Sequence, residues 1–229
     1  MINTYAESSL HAALKEWYGR SQQNGQPPIQ FEQPVDGSII DIVRGDLLIE
    51  IQTGNFSAIK AKLAKLLPAH PIRLVYPIAQ EKWIVRETAV GQPISRRKSP
   101  KRGQLHDVFA ELVRIPHLLP HPNLTLELLL TQQEEIWRDD GKGSWRRKGW
   151  SIHDRRLLQV LHSATFTTPA DLLTLLPTNL PSPFTNRELA TAMHGRMRLA
   201  QQITYTLRQC HLLTITGKQG NAHMFQFTG

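Results

Sequence analysis

The chain has little cysteine and no long apolar run, and these two shortages exclude several classes of protein. Cys210 is the single cysteine among 229 residues, so neither an internal disulfide nor a zinc site made of cysteines can form. No apolar run approaches the roughly 18 residues needed to cross a bilayer. The polar N-terminus also lacks the basic and apolar blocks of a signal peptide. The sequence therefore predicts a cytoplasmic protein without a membrane partner.

Several familiar catalytic patterns are also missing. The sequence contains no Gly-x-Gly-x-x-Gly or Walker-type phosphate loop and no recognisable Ser/His/Asp arrangement. The ten histidines form no close ligand pair on a predicted helix, and His117 and His121 straddle a loop that contains Pro120. We therefore assign no histidine a ligand role.

The charge of the chain is unevenly distributed. Residues 1–90 contain nine basic and nine acidic side chains, so the formal charge of +8 is carried entirely by residues 91–229. A basic back half predicts a polyanionic partner. Nucleic acid is favoured over membrane, because no basic amphipathic helix with a bulky apolar face is present. A merely solubilising surface is the alternative.

Hydrophobic periodicity in the front half predicts the order α-β-β-β-α-β. Two apolar strands flank Gly45-Asp46, a Gly-first loop that favours a type II′ hairpin. The predicted elements are a helix over 8–18, strands at 29–31, 39–44 and 47–53, a helix over 57–67, and strands at 72–78 and 83–86.

Asp41 and Glu50 are the acidic residues that stand out in these apolar strands. A two-residue hairpin loop makes them cross-strand partners, and Gln52 shares the face of Glu50 because strand side chains alternate. Facing Cβ atoms lie about 4.5–5.5 Å apart, where like charges destabilise a strand pair. A divalent cation, Mg²⁺ or Mn²⁺, would neutralise them and act on a phosphodiester. A solvated hairpin end is the alternative, and spacing alone does not decide between the two.

This arrangement resembles the PD-(D/E)xK nuclease superfamily over residues 7–87. In that superfamily an acid on one strand and a (D/E)-x-K pair on the next bind metal and activate water. The resemblance implies that Asp41 and Glu50 are metal ligands and that Glu7 is a supplementary acid, with Glu16 as a competing candidate. The stretch 35–63 also resembles a bacterial family of uncharacterised proteins with the same front end, which brings no assigned activity.

Gln52 departs from the superfamily pattern, which usually has lysine at this position. An amide can orient water or phosphate but carries no charge. Some branches of the superfamily keep activity with Gln, and others move the lysine to the following helix, where Lys62 is preferred over Lys60. The surface is the commoner location of a helix lysine. The loss of the charge also allows an inactive site that binds nucleic acid without cutting it.

Residues 93–103 are basic and poor in apolar residues, which is typical of a linker and predicts a domain boundary. The basic residues are Arg96, Arg97, Lys98, Lys101 and Arg102. They are candidates for contacts along a DNA backbone, and an ordinary exposed linker is the alternative.

Residues 104–153 are predicted to form a helix over 105–113 and a hairpin with arms at 124–137 and 145–152. A hairpin that follows a helix allows a first winged unit here. The second arm carries Arg146, Arg147 and Lys148 between Trp145 and Trp150. Stacking surfaces combined with phosphate-pairing charge suit DNA or a single strand. A tryptophan core with a solvated basic rim is the alternative.

Residues 154–229 are predicted to form a winged-helix domain, because helix, turn, helix and hairpin follow one another in that order. Capping signals place helix starts after Thr168 and Thr185. The predicted elements are helices over 154–162, 169–176, 186–193 and 197–210, and strands at 213–216 and 222–227.

The helix over 197–210 is the predicted recognition element. Its apolar residues recur at helical spacing, which leaves a polar face outside. Arg and Gln read guanine and adenine edges in the major groove, and basic residues at the turn and wing would hold phosphates. The candidates are Arg198, Gln201 and Gln202 for bases, and Arg196 and Lys218 for phosphates. Winged helices also dock proteins, which is a further alternative.

Together these observations predict an α/β protein. A restriction-endonuclease-like αβββαβ core (1–92) would precede a basic linker (93–103), a helix with a basic hairpin (104–153) and a winged-helix domain (154–229). The predicted function is metal-dependent DNA hydrolysis, with double-stranded DNA as the partner. The alternative is an inactive, DNA-binding regulator or scaffold. The sequence leaves open whether the protein forms a homodimer.

Overall fold

Two sheets organise the chain in a computed structural model that describes residues 8–20 and 27–228. The helices are α1 (Ser9–Arg20), α2 (Lys60–Leu66), α3 (Phe109–Leu112), α4 (Asn186–Ala192) and α5 (Met197–Gln209), with 3₁₀ turns at Leu105–Val108, Trp145–Arg147 and Pro169–Leu175. The strands are β1 (Ile29–Val35), β2 (Ser38–Arg44), β3 (Leu47–Ile51), β4 (Ile72–Glu87), β5 (Pro93–Lys98), β6 (Leu124–Arg138), β7 (Ser151–Phe166), β8 (Phe184–Thr185), β9 (Leu213–Gln219) and β10 (Ala222–Phe227).

The larger sheet has seven strands in the order β1-β2-β3-β4-β6-β7, with β5 also paired to β4. β1, β2 and β3 form antiparallel hairpins. β4 and β6 run parallel, because their contacts advance together along both strands, from Ile72 with Asn123 to Glu87 with Arg138. The α/β class is confirmed, and the front-half order α-β-β-β-α-β is the one predicted.

Tight turns explain the front hairpins. Gly45 has φ +58°, as the first central position of a type II′ turn requires, and the predicted pairs Arg44–Leu47, Val43–Leu48 and Ile42–Ile49 are confirmed. Asp36 and Gly37 both have positive φ between β1 and β2, as a type I′ turn requires. The prediction missed this Asp-Gly signal and therefore ended β1 four residues early.

The chain divides into two compact units, and each is built from three separate segments. The first unit consists of Met1–Thr53, Val75–Gln104 and Leu128–Ala164, and the second of Gly54–Leu74, Leu105–Glu127 and Thr165–Gly229. This division cuts across the contiguous domains predicted from the sequence.

The core of the first unit lies between α1 and the sheet. Leu10, Leu14 and Tyr18 of α1 pack on Ile42, Ile49, Ile51, Val75 and Leu129. The strand residues come from β2, β3, β4 and β6, so one amphipathic helix covers the middle of the sheet.

Two predictions in the middle of the chain are wrong. Residues 93–98 form strand β5 rather than a linker, with Trp83 paired to Lys98 and Val85 to Arg96. Residues 154–162 belong to β7 rather than to a helix. Leu157, Leu158, Val160 and Leu161 fit helical spacing, but antiparallel pairing with β6 overrides this local pattern.

In the second unit, α4 and α5 precede the β9–β10 hairpin, as predicted. Leu199, Ile203 and Leu207 form the buried face of α5. The two-residue strand β8, which was not predicted, pairs with β10 and makes the hairpin a three-stranded sheet. The Thr185 capping box is confirmed, because Thr185 Oγ accepts from the Glu188 N–H and Glu188 Oε2 accepts from the Thr185 N–H.

Candidate functional site: the Asp41–Glu50 strands and the α5 surface

Asp41 lies at the point where β2 and β3 separate. The ladder between the two strands runs from the turn to the pair Ile42–Ile49. One residue further on, Asp41 Oδ2 accepts a hydrogen bond from the Ile51 N–H at 2.8 Å. A strand N–H lies in the plane of the sheet, so this carboxylate takes the place of a ladder carbonyl. The predicted cross-strand pair Asp41–Glu50 therefore falls just beyond the regular ladder.

Glu50 is a buried carboxylate, 4% exposed, one residue before the end of β3. Its neighbours Ile49 and Ile51 both pack against α1, so alternation directs the Glu50 side chain to the opposite face of the strand. The Gln52 N–H donates to the Val75 carbonyl at 2.9 Å, and the Gln52 side chain is half-buried. Glu50 thus lies near the end of β3, and Gln52 follows directly after the strand, where the backbone pairs with β4.

His11 is a neighbour of Asp41 that the sequence did not reveal. Its Nε2 lies 3.1 Å from Asp41 Oδ2, and both side chains are about one fifth exposed. One helical turn later, Lys15 Nζ lies 2.8 Å from Glu32 Oε1. The signal available in the sequence was the i, i+4 spacing of His11 and Lys15 beside the buried residues of α1.

The donor set around Asp41 and Glu50 matches a hard cation only in part. Mg²⁺ commonly takes one or two carboxylates and completes its shell with water and phosphate. A cation at Asp41 would compete for Oδ2 with the Ile51 N–H and with His11. Within residues 8–20 and 27–228, no three His, Cys, Asp or Glu side chains form a group that could hold a metal ion.

The remaining residues predicted for this site have different locations. Glu7 lies outside the described residues. Glu16 is on the surface of α1 and pairs with Arg20 at 3.2 Å. Lys62 is half-buried on α2 in the second unit, and Lys60 is exposed at the start of the same helix.

The outer face of α5 presents the side chains predicted to read bases. Arg198, Gln201 and Tyr205 are exposed, and Gln202 is half-buried beside them. They recur every three or four residues, so they form one stripe on the helix. This stripe lies opposite the buried face of α5, as predicted.

A groove of about 940 Å³ lies between α5 and the tip of the β9–β10 hairpin. Met197 and Gln201 line it from α5, Asn186 and Arg187 from the start of α4, and Asn221 and His223 from the hairpin. Lys218 is exposed and pairs with His223 across the hairpin. Residues 184–228 contain five basic side chains and one acidic, Glu188, whose carboxylate is used in the capping box.

Arg196 has protein partners at the start of α5. Its guanidinium pairs with Asp107 and lies 3.3 Å from His106 Nε2. Burial, with Arg196 and His194 nearby, lowers the pKa of His106 against the opposite effect of Asp107. An Arg that already pairs with a carboxylate has less charge to offer a phosphate, so Arg196 is a weaker phosphate candidate than Arg198.

The basic residues of β5 fall on two faces of the sheet. Arg96 pairs with Glu134 at 2.7 Å and Lys98 with Glu81 at 2.8 Å, and both cations lie about 5 Å from the centre of the Trp83 ring. Arg97 alternates to the other face and is exposed. Lys101 and Arg102 follow the strand and are exposed.

Trp145, Arg146, Arg147 and Lys148 lie in a turn between β6 and β7 rather than in a strand arm. Trp145 is 83% exposed, and Arg146 Cζ lies 5.5 Å from the centre of its ring. Arg147 Nε donates to the Trp150 carbonyl. Trp150 is half-buried beneath the Arg86 guanidinium.

Cys210 is not a candidate nucleophile. Burial raises the pKa of its thiol to about 11, and the thiolate is the reactive form. The S–H group donates to the Pro116 carbonyl at 3.6 Å.

The fold and these surfaces define an α/β protein with a mixed seven-stranded sheet. Residues 8–167 match the model of a family described as a domain of unknown function (DUF8091), and the chain belongs to this family. An uncharacterized protein of Treponema pallidum (strain Nichols) is 34% identical over 229 residues, which cover 98% of this chain and 87% of that protein. No solved structure matches the chain significantly.

A helix that spans a membrane is long and apolar. None of the helices in the described residues combines the length and the apolar character that a crossing requires.

Proposed function

We propose that the protein binds double-stranded DNA through α5 and the β9–β10 hairpin, in the manner of a winged helix. The observation that carries the proposal is the exposed stripe of Arg198, Gln201, Gln202 and Tyr205 beside the groove. An α-helix fits the major groove, where Arg and Gln make bidentate contacts with guanine and adenine.

The charge of this region supports the same proposal. Four basic residues of 184–228 other than Arg196, which pairs with Asp107, stand against the single acidic residue Glu188 and give a local positive field. Phosphate contacts supply much of DNA affinity. Arg187 lines the groove from the start of α4, and Lys218 is exposed on the hairpin, so both suit phosphate contacts.

A salt titration with matched variants tests the proposal. Binding of a labelled 20-base-pair duplex is measured by fluorescence anisotropy between low and physiological salt. Arg198→Gln is expected to weaken binding and to lower the slope of log affinity against log salt by about one. Lys60→Gln removes the same charge from α2 and is the control, with an expected affinity close to that of the unchanged protein. Duplex binding that Arg198→Gln and Gln201→Ala leave unchanged would remove α5 from the interface.

Metal-dependent hydrolysis of DNA by the front half is the second candidate function. It is favoured by the position of Glu50, a buried carboxylate that follows Ile49 on β3 as Asp41 precedes Ile42 on β2, so that both acids lie just beyond the last regular pair of the ladder. In this proposal Asp41 and Glu50 hold Mg²⁺ or Mn²⁺, which would supply Lewis-acid stabilisation of the phosphate oxygens. Gln52 would orient water or phosphate through its amide.

Nuclease assays separate hydrolysis from simple binding. Plasmid and single-stranded DNA are incubated with Mg²⁺ or Mn²⁺ and with the variants Glu50→Gln and Asp41→Asn, which keep side-chain shape. Asp46→Asn removes an exposed carboxylate from the turn between β2 and β3 and is the control. Cleavage that both site variants abolish and the control retains supports hydrolysis. Absence of cleavage in a protein that binds duplex DNA supports the DNA-binding regulator or scaffold instead.

A further inference from the structure

The turn between β6 and β7 presents an exposed tryptophan on a rigid support. Residues 144–150, called here the Trp145 turn, are closed by main-chain hydrogen bonds. The Ser144 carbonyl accepts from the N–H groups of Arg147 and Gly149, and the Trp145 carbonyl accepts from the Lys148 N–H. The backbone of Gly143 passes so close that an added Cβ would lie 1.6 Å from the Gly149 oxygen. The turn is thus preorganised, while the Trp145 ring remains 83% exposed.

The surroundings of this ring are basic. Residues 139–153 contain Lys142, Arg146, Arg147 and Lys148 against Asp139 and Asp140, and both aspartates precede the Trp145 turn itself. Arg146 lies over the Trp145 ring, and Lys148 is exposed. In the part of the chain that the structure describes, neither residue forms a salt bridge. An isolated exposed apolar residue is ordinary, but an exposed indole on a closed turn, flanked by unpaired cations, has the chemistry of a base-stacking platform.

The basic surface continues from the turn onto β5. Arg86 Cζ lies 5.0 Å from the centre of the Trp150 ring, which ties the turn to β4. Arg86 pairs with Ser95 and Ile84 with Arg97, so Arg86 and Arg97 share one face of the β4–β5 ladder. Arg97 is exposed on this face, whereas Arg96 and Lys98 point to the other face and are neutralised by Glu134 and Glu81.

We propose that the Trp145 turn, with Arg86 and Arg97, is a binding site for single-stranded nucleic acid. A base stacks on the Trp145 indole, and the cations contact successive phosphates. A single strand is favoured over a duplex because the faces of paired bases are already stacked on their neighbours, whereas an unpaired base offers a free face. This site lies wholly in the first unit and is independent of the surface on α5.

Anisotropy with labelled oligo(dT) of 20 nucleotides tests the site, with a duplex of equal length beside it. Trp145→Ala is expected to weaken oligo(dT) binding by roughly tenfold or more, and Trp145→Phe to retain most of it, because either ring can stack. The loss of an exposed side chain leaves the fold intact, which circular dichroism checks.

Matched charge variants test whether the basic surface of the Trp145 turn continues onto β5. Arg97→Gln is expected to weaken oligo(dT) binding and to lower its salt slope by about 0.7. Arg96→Gln removes the same charge from the opposite face and is expected to change binding much less. Equal effects of Arg97→Gln and Arg96→Gln would contradict the proposal that the single strand binds on the face of the β4–β5 ladder that Arg86 and Arg97 share.

Two outcomes would overturn the proposal as a whole. The first is oligo(dT) binding that Trp145→Ala does not change. The second is binding to vesicles of anionic lipid that depends on Trp145 while oligo(dT) does not bind, because tryptophan with cations also suits a membrane surface. Neither outcome affects the proposal for α5, because that proposal is tested by the binding of duplex DNA to the Arg198→Gln variant.

Discussion

Asp41 has a structural role at the scale of single residues. Its Oδ2 accepts a hydrogen bond from the Ile51 N–H at the point where β2 and β3 separate. The same atom lies 3.1 Å from His11 Nε2 on α1. One carboxylate therefore connects two strands and a helix of the first unit. The same residue is a candidate metal ligand, so loss of activity in a variant has to be separated from loss of structure.

Replacement of Asp41 by Ala should destabilise the protein by about 1.5–3 kcal/mol, the range for a hydrogen bond to a charged group. The Ile51 N–H would lose its acceptor in a partly buried location. Asp41→Asn keeps an acceptor oxygen and should cost less. Urea denaturation of both variants measures the difference, and equal losses of stability would contradict an acceptor role. A stable Asp41→Asn variant is also the sharper probe of metal binding.

At the scale of elements, the orientation of α4 depends on its cap. Thr185 is 3% exposed, and its hydroxyl both accepts from the Glu188 N–H and donates to Glu188 Oε2. β8 ends at the same residue and pairs with β10. The cap therefore fixes the start of α4 beside the groove that α5 shares with the hairpin.

Thr185→Val removes this hydroxyl and preserves the shape of the side chain. We expect a loss of about 1 kcal/mol in the free energy of unfolding, as is typical for a lost N-cap. Thr185→Ser keeps the hydroxyl and should retain most of the stability. Thermal or urea unfolding provides the measurement. A serine variant no more stable than the valine variant would show that the methyl group matters more than the cap.

β7 shows how an element can be misread from local pattern. Its apolar residues at 157, 158, 160 and 161 fit a helical face as well as a strand. Strand pairing with β6 is a long-range interaction that no local window contains. The same reason applies to β5, whose polar sequence is typical of a linker until its ladder with β4 is known.

At the scale of the whole molecule, buried carboxylates with cationic partners are a recurring feature. Glu87 lies 3.1 Å from Arg138, Glu127 lies 3.3 Å from Arg73, and Glu135 lies 3.0 Å from Lys82. Burial acts to raise the pKa of Glu135, but Lys82, Trp137 and Arg155 together outweigh it and lower the pKa below its ordinary value of 4.5. Hydrogen bonds from Thr168 and Thr167 similarly lower the pKa of Asp171.

These lowered pKa values predict a loss of stability in acid. The unfolded chain binds more protons than the folded chain once the pH falls below the unfolded pKa, so the free energy of unfolding decreases with decreasing pH. The Glu135 contribution is complete above about pH 4.5 and is lost as the pH falls through the folded pKa. Glu135→Gln should flatten the dependence of unfolding on pH below 4.5. An unchanged slope in this variant would assign the acid sensitivity to other groups.

Sequence alone determined the features that depend on neighbours along the chain. These are the β2–β3 register set by Gly45, the Thr168 and Thr185 caps, and the division of α5 into a buried face and the polar stripe. Each depends on a turn, a cap or a helical repeat within about a dozen residues, so the local sequence contains the information.

Only the tertiary structure decided what depends on distant pairing. Pairing with the preceding strand, β4 for β5 and β6 for β7, made both segments part of the larger sheet although their own sequences do not indicate strands. The chain is divided into two units, each built from three separate segments. The contact between Asp41 and His11, thirty positions apart, and the separation of Arg97 from the paired Arg96 and Lys98 have the same origin. In each case the order and pairing of the strands in the sheet determine which residues meet. Local propensities do not encode that order.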